Sequence, residues 1–161
     1  MALPADILGR LYRQHAPALR LFARQWADLA DDAVHDAFVR LSQQEPPPGR
    51  VVPWLYQTVR NAALAAQRST RRRRKREDAA RLDEAWFSRA DERIEADEAA
   101  GLLGELPLEF RETIVARLWG GLTFDEIATL TNCSLPTAHR RYQAGLAELK
   151  LRLEGPCRNP S

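Results

Sequence analysis

Apolar residues recur at helical spacing through most of this 161-residue chain, and no segment alternates apolar and polar residues as a half-buried strand would. In the first half the spacing predicts helices over residues 7–27, over 33–41 and from 54 into the arginine run that ends at 76. Pro17 should kink or break the first helix. The proline-rich loop 45–49 separates the second from the third. The pattern therefore predicts an all-α fold.

The second half adds helix start and stop signals at close spacing. Pro107 is expected in the first turn of a helix that Gly120-Gly121 ends. Thr123 and Glu126 have capping-box spacing and predict a short helix. After a turn at residues 131–133, Ser134 should cap a last helix with Pro136 in its first turn. A short helix, a turn and a longer helix are the plan of a helix-turn-helix.

Charge is distributed in three blocks. Residues 1–76 carry 14 Lys/Arg against 6 Asp/Glu, residues 77–105 carry 3 against 10, and residues 106–161 carry 7 against 6. Such blocks indicate two modules with a joint. We predict a helical domain at 3–76, an acidic linker at 77–93 with a short helix considered around Trp86, and a helix-turn-helix domain at 94–153.

Several classes of protein have little support. Cys133 and Cys157 lack CxxC spacing, which argues against a zinc site or a disulfide framework. The three histidines lie in three separate predicted helices with no nucleophile or ligand spacing beside them, so an enzyme is not expected. No apolar run reaches membrane-spanning length. We expect a cytoplasmic protein without metal, cofactor or membrane insertion.

Three groups of residues suggest binding functions. In a helix-turn-helix the second helix enters the major groove, where Arg, Thr and His can contact phosphates or base edges. The matching residues here are Pro136, Thr137, His139, Arg140 and Arg141. The alternative is a plain helical hairpin with a solvated basic face.

The second group lies on the third predicted helix. Residues 68–76 contain seven positive side chains in nine, which favours a polyanion partner. Upstream stand aromatic and polar residues that suit unpaired bases, namely Trp54, Tyr56, Arg60 and Asn61. The alternative is a core tryptophan with a solvated tail, and for Trp54 alone the core is favoured.

The third group is Asp31, Asp32, His35 and Asp36 on the second helix. Acidic side chains in a basic domain should face something other than DNA. The alternative is that they stabilise the helix start and balance local charge.

Together these segments resemble the extracytoplasmic-function group of bacterial sigma factors over almost the full chain. Residues 29–41 resemble the group's D-A-x-D-x-x-Q-x-x-F-x-R-L helix, with His35 where Gln is usual. Residues 54–61 read W-L-Y-Q-T-V-R-N, like its W-L-Y-x-x-x-x-N signature. Leu106-Pro107 with Arg111, then residues 126–128, then Thr137 with Arg141 follow the pattern of its second domain.

The resemblance implies a factor that recruits core RNA polymerase to promoter DNA and supports melting. It assigns Asp31, Asp32, His35 and Asp36 to polymerase binding, and the loop 44–52 with Asn61 to melted bases. Residues 134–145 would read the minus-thirty-five duplex, and an anti-sigma protein is a further candidate partner. The set assigned to the minus-ten element is Trp54, Tyr56, Arg60, Asn61, Arg71, Arg72, Arg73 and Arg74.

Two other functions stay open on sequence grounds. A stand-alone helix-turn-helix regulator would need only the second domain, and an RNA-binding or interaction protein would use the arginine run. The acidic helix favours the sigma factor, because only that function gives it a partner. Pro136 and Gly145 also predict a less regular recognition helix than is usual in the group.

Overall fold

The computed structural model describes residues 1–26, 30–74 and 101–153, with the backbone alone given for residues 30, 70–74 and 153. Within these ranges the chain is all-α, as predicted, and contains no β-strand. No helix among them is both long and apolar enough to cross a membrane. The predicted linker, its short helix around Trp86 and the onset of the second domain at Ile94 lie outside the described residues.

The first unit is a three-helix bundle in which each helix packs on the other two. Its helices are α1 (Ala5–Ala23), α2 (Ala30–Gln43) and α3 (Val51–Arg74). Helix α1 continues through Pro17, so the break considered from the sequence does not occur. The core between the helices is built by fully covered apolar side chains at helical spacing, including Leu19, Phe22, Val34, Leu41, Leu55 and Val59.

The described part of the second unit begins with a helical turn at 101–103 that places Leu103 in the core. The sequence predicted Pro107 in the first turn of the next helix. Pro107 is instead the N-cap residue of α4 (Leu108–Ile114), just outside the helix. Helix α4 continues as one π-helical turn (Val115–Trp119). Gly120 and Gly121 end it as expected, and Gly121 adopts a φ of 67°, a left-handed conformation that glycine tolerates.

The helix-turn-helix follows the predicted plan. Helix α5 (Phe124–Thr131) begins where the Glu126 N–H donates to the Thr123 hydroxyl at 3.2 Å. Asn132 turns the chain in the left-handed region. Helix α6 (Leu135–Leu153) begins where the Thr137 N–H donates to the Ser134 hydroxyl at 3.2 Å. Both predicted caps are confirmed.

Helix α6 runs unbroken from residue 135 to 153, so the expected irregularity is not found. Gly145 is buried, and a Cβ there would lie 2.6 Å from Ile114 Cδ1 and 3.2 Å from Phe110 Cβ. The missing side chain lets α6 approach α4 closely. Glycine at this position therefore contributes to helix packing instead of bending the helix.

The two units contact each other. The π-helical turn lies against α1, and α3 lies against α5. At Gly120 the approach is so close that a Cβ would lie 2.7 Å from the ring and the hydroxyl of Tyr56. The first unit's α3 is thus covered in part by the second unit.

Candidate nucleic-acid and protein interfaces

The first turns of α6 present an open polar face. Pro136, His139 and Arg140 are exposed, and Thr137 is half-buried. Thr137 accepts hydrogen bonds from the Ser134 hydroxyl at 2.8 Å and from Arg140 Nη2 at 3.2 Å. These bonds hold Arg140 near the start of the helix, the part of a recognition helix that meets base edges.

The side chains of Arg141 and His139 contact other residues of the second unit. Arg141 is half-buried and forms an ion pair with Glu109 of α4 at 3.5 Å. The His139 ring stacks on Phe124 with 3.9 Å between ring centroids. Arg140 is therefore the more available of the two predicted arginines.

Gln143 belongs to the same face, although the sequence analysis did not select it. It is exposed and lies three residues after Arg140 and four after His139, which places all three side by side on the helix. A glutamine amide pairs well with the edge of adenine in the major groove. Its helical spacing from Arg140 was a signal that would have identified it.

The acidic group on α2 divides in two. Asp31 forms an ion pair with Arg20 of α1 at 3.3 Å and so links two helices of the bundle. Asp32, His35 and Asp36 are exposed together on one side of α2. Val39 continues that side with 40% of its surface exposed, an apolar residue that the sequence analysis missed. An acidic rim beside an exposed valine suits a protein partner.

The residues predicted for the minus-ten element have different environments along α3. Asn61 is exposed, and its Oδ1 accepts a hydrogen bond from Gln57 Nε2 at 3.0 Å. Trp54 is half-buried and packs against the core. Arg71, Arg72, Arg73 and Arg74 form the last turn of the helix, and their side chains are not described.

Tyr56 and Arg60 lie beneath the second unit. Tyr56 is 0% exposed and meets Phe22 edge to face, and burial raises the pKa of its hydroxyl. Arg60 lies over the Trp26 ring at 5.8 Å, and its Nε donates to Glu112 Oε2 of α4 at 3.0 Å. In this arrangement of the units both side chains are covered, and their assignment to the minus-ten element stays a prediction.

Glu112 is a buried acid that the sequence analysis did not select, with 4% of its surface exposed. Burial raises the pKa of its carboxyl, and the Arg60 hydrogen bond and charge offset that effect only in part. No local pattern marks such a residue, because its partner lies 52 positions away.

The loop before α3 also contacts the second unit. Arg50, at the end of the proline-rich segment, donates through Nη2 to Glu126 Oε1 at 2.8 Å. Glu126 is the same residue whose N–H is capped by Thr123 at the start of α5. The loop expected to hold melted bases is thus tied to the helix-turn-helix.

Two family models each match one of the two structural units. Residues 11–73 match Sigma-70 region 2, and residues 97–149 match Sigma-70, region 4. No match was found among curated proteins.

Two solved structures are similar over nearly the whole chain. One is a co-crystal structure of the sigma factor RpoE in complex with the anti-sigma factor NepR from Bartonella quintana. It has 22% identity and a TM-score of 0.76, and the match covers 95% of this chain and 99% of that one. The other is CnrH in complex with the cytosolic domain of CnrY. It has 26% identity and a TM-score of 0.61, with 94% and 90% covered.

The helical fold and the two regions in this order define a transcription-initiation factor. The chain belongs to the sigma-70 family of sigma factors, in its extracytoplasmic-function group. Its partners as a sigma factor are core RNA polymerase and promoter DNA. These predictions are confirmed. A stand-alone helix-turn-helix regulator would have no use for region 2, which the first unit matches.

Proposed function

We propose that the exposed side of α2 binds core RNA polymerase. The observation that supports this is the grouping of Asp32, His35 and Asp36 with Val39 on an open helix face of a basic domain. The neighbouring Asp31 is engaged with Arg20, so it contributes to bundle stability as well. Acidic residues around an apolar centre suit a basic protein surface and disfavour DNA.

The DNA-binding roles divide between the two units. Pro136, Thr137, His139, Arg140, Arg141 and Gln143 would contact the minus-thirty-five duplex. Asn61 would capture a base after melting, since an amide offers donors and an acceptor to an unstacked edge. The arginines that end α3 would contribute to initial duplex binding through phosphate contacts. The proposed domains are 3–76 and 94–153, with the acidic linker 77–93 between them.

None of these steps requires catalysis by the chain itself, so we propose that it is not an enzyme. We place it in the cytoplasm, where a partner of core polymerase would act. The two solved structures named above are complexes, one with an anti-sigma factor and one with a cytosolic domain. An anti-sigma protein is therefore a proposed partner of this chain too.

Charge reversal on α2 tests the polymerase interface. Asp32→Arg with Asp36→Arg should abolish co-purification with core polymerase, because two carboxylates would become like charges facing a basic surface. Asp36→Arg alone is compared with Asp6→Arg, an equal reversal at an exposed position of α1. The control should co-purify normally, and helical circular dichroism should be unchanged in every variant. Normal co-purification of the double variant would remove α2 from the interface.

A further inference from the structure

A single aromatic ring joins the π-helical turn to the proposed reading face of α6. That ring belongs to Phe124, the first residue of α5, and it is half-buried. The exposed His139 ring stacks on it with 3.9 Å between ring centroids and an angle of 30° between the ring planes. The guanidinium carbon of Arg117 lies over the same ring, 4.6 Å from its centroid. The π-helical turn, α5 and α6 therefore meet at one side chain, to which the proposed function gives no role.

The backbone that precedes Phe124 is fixed by hydrogen bonds. Leu122 is 1% exposed, and its N–H donates to the carbonyl oxygen of Ala116 at 3.1 Å. The carbonyl oxygen of Leu122 accepts from Arg117 Nη1 at 2.9 Å. The Thr123 hydroxyl then caps the start of α5. Phe124 thus follows an anchored loop, and Arg117 contacts both that loop and the ring.

The stack restrains a side chain that would otherwise be mobile. On an open helix surface, an exposed histidine exchanges between rotamers. Contact with an anchored aromatic ring favours one orientation of His139, and contacts of this kind change an equilibrium by about twofold to tenfold. The Tyr142 ring also meets Phe124 edge to face, at 5.2 Å between centroids, and so supports Phe124 from α6. His139 is therefore oriented before DNA binds.

A restrained imidazole suits the edge of a base better than it suits a phosphate. A neutral imidazole has one donor and one acceptor in the plane of its ring. Base edges in the major groove present their donors and acceptors at fixed positions, so a contact to them gains from a fixed ring. A phosphate contact comes mainly from charge and tolerates a mobile side chain. His139 also lies beside Arg140 and four residues before Gln143, on the exposed side of the first turns of α6.

We propose that Phe124 and Arg117 are positioning residues for promoter reading, which hold the His139 ring so that its edge selects one base pair of the duplex. The inference rests on the DNA-binding role proposed for the first turns of α6. His139 is the contacting residue, Phe124 orients it, and Arg117 holds Phe124. Preference at one base pair is then determined by three side chains, of which His139 alone lies on the recognition helix.

Selection from a duplex library measures base preference position by position. The probe is synthetic duplex DNA in which about one helical turn of base pairs is randomised, and the full chain is used throughout. The native protein first defines the preferred sequence. His139→Ala should then reduce the preference at one position by about fivefold and leave the other positions unchanged. The remaining variants are compared at that position.

Substitution of Phe124 tests the positioning role. Phe124→Leu keeps an apolar side chain but removes the ring, so preference at the His139 position should again fall by about fivefold. Phe124→Tyr keeps the ring and should retain the native preference. Because the two residues act through one contact, His139→Ala combined with Phe124→Leu should lose no more than His139→Ala alone. Unchanged preference in Phe124→Leu would overturn the proposal, as would an equal loss in Phe124→Tyr.

Phe110→Leu is the matched control. Phe110 is half-buried on α4, and the contacts of the Phe124 ring with His139, Tyr142 and Arg117 do not include it. The control should lower stability to a similar degree, measured by thermal unfolding, without changing preference at any base pair. An equal loss of preference in the control would show that Phe124 acts only through the stability of the second unit, and the proposal would fail.

Arg117→Met tests the residue farthest from the DNA. Methionine keeps an unbranched side chain but lacks the guanidinium group, so both the ring contact and the bond to Leu122 are lost. Preference at the His139 position should fall by about twofold, less than in Phe124→Leu, because the stacked ring remains. Native preference in this variant would remove Arg117 from the set of positioning residues.

Two outcomes separate this inference from the proposed function. If His139→Ala weakens all sequences alike and reduces the salt dependence, His139 contacts phosphate. The DNA-binding role of α6 would then stand, and base selection through the stack would be overturned. If instead Arg140→Ala changes neither duplex affinity nor selection, while the His139 position responds to Phe124→Leu, the role proposed for Arg140 would fail and the stack would stand.

Discussion

The two DNA-binding regions of this sigma factor hold their basic side chains in different ways. Arg140 on α6 is exposed, and among the described residues its hydrogen bond goes to a hydroxyl of its own helix turn. Arg60 on α3 is largely covered, lies over a tryptophan and pairs with an acid from the other unit. A basic residue in the sequence therefore predicts an anionic partner, but that partner can be a carboxylate of the same chain.

The largest expected effect is the loss of stability when the covered ring of Tyr56, in the first region, is removed. Tyr56→Ala should lower the free energy of unfolding by about 3–5 kcal/mol, because a fully covered ring leaves a cavity between the units. Tyr56→Phe keeps the ring and removes a hydroxyl that has no hydrogen-bond partner among the described residues, so it should cost little. Chemical denaturation followed by circular dichroism measures both. A loss under about 1 kcal/mol for the alanine variant would show that Tyr56 is a surface residue.

Next in size is the effect of a side chain at position 145. Gly145→Val should destabilise the second unit by about 1–3 kcal/mol, since the added carbons meet Ile114 and Phe110. Ala147→Val on the exposed side of α6 makes a similar change without that contact and should cost under about 1 kcal/mol. Thermal unfolding of the two variants gives the comparison. Equal losses would mean that α6 does not rest on α4 at this point.

The proposed roles of residues on the recognition face of α6 can be tested by comparing two neighbouring arginines. Arg140→Ala should weaken duplex binding by about 1–3 kcal/mol if it contacts bases. Arg141→Ala should weaken it less, because Arg141 already pairs with Glu109. Titration of promoter duplex at several salt concentrations separates base contacts, which relax sequence preference, from phosphate contacts, which reduce the salt slope. A larger loss for Arg141 would reverse the assignment.

The smallest expected effect is a pH dependence at the interface between the units. The pKa of Glu112 is raised above its ordinary value of 4.5 by burial, so the folded protein binds this proton more readily than the unfolded chain. Its contribution to stability is then fully present below pH 4.5 and is lost as pH rises through the raised value. The free energy of unfolding of the native protein minus that of Glu112→Gln should fall over this range. A difference that grows with pH would mean that the Arg60 charge outweighs burial.

Most of the fold was predictable because its signals are local. Apolar spacing located the helices, and the side chains of Thr123 and Ser134 marked the starts of α5 and α6. The same spacing also predicted which helix faces are exposed, and it would have identified Gln143 and Val39 as members of those faces. Pro17 does not break α1, because a helix interior tolerates one lost hydrogen bond when its apolar face is packed, and α1 buries Leu19 and Phe22 beside it.

The contacts between the units were not predictable, for a physical reason. Arg60 and Glu112 are separated by 52 positions, and Arg50 and Glu126 by 76, so no periodicity links them. Each arginine looks the same in sequence whether its partner is a phosphate or a carboxylate. The environment of Tyr56 likewise depends on Gly120, a residue that the sequence marked only as the end of a helix.

The close approach at Gly145 also limits how this protein could be re-engineered. Gly145 lies nine positions after Pro136, roughly 14 Å along the helix axis. The contact of α6 with α4 at Gly145 therefore positions the first turns of α6, which carry the proposed DNA-reading residues. The exposed residues Pro136, Arg140 and Gln143 can be exchanged to seek a new promoter preference, since they lie on the outward side of α6. Ala138 is fully buried and Arg141 pairs with Glu109, so these two positions are less open to exchange. A graft that carries a larger residue into position 145 would tilt the whole reading end and change every contact together. The proposed contacts to promoter DNA can therefore be changed at exposed positions, whereas position 145 determines how α6 packs on α4.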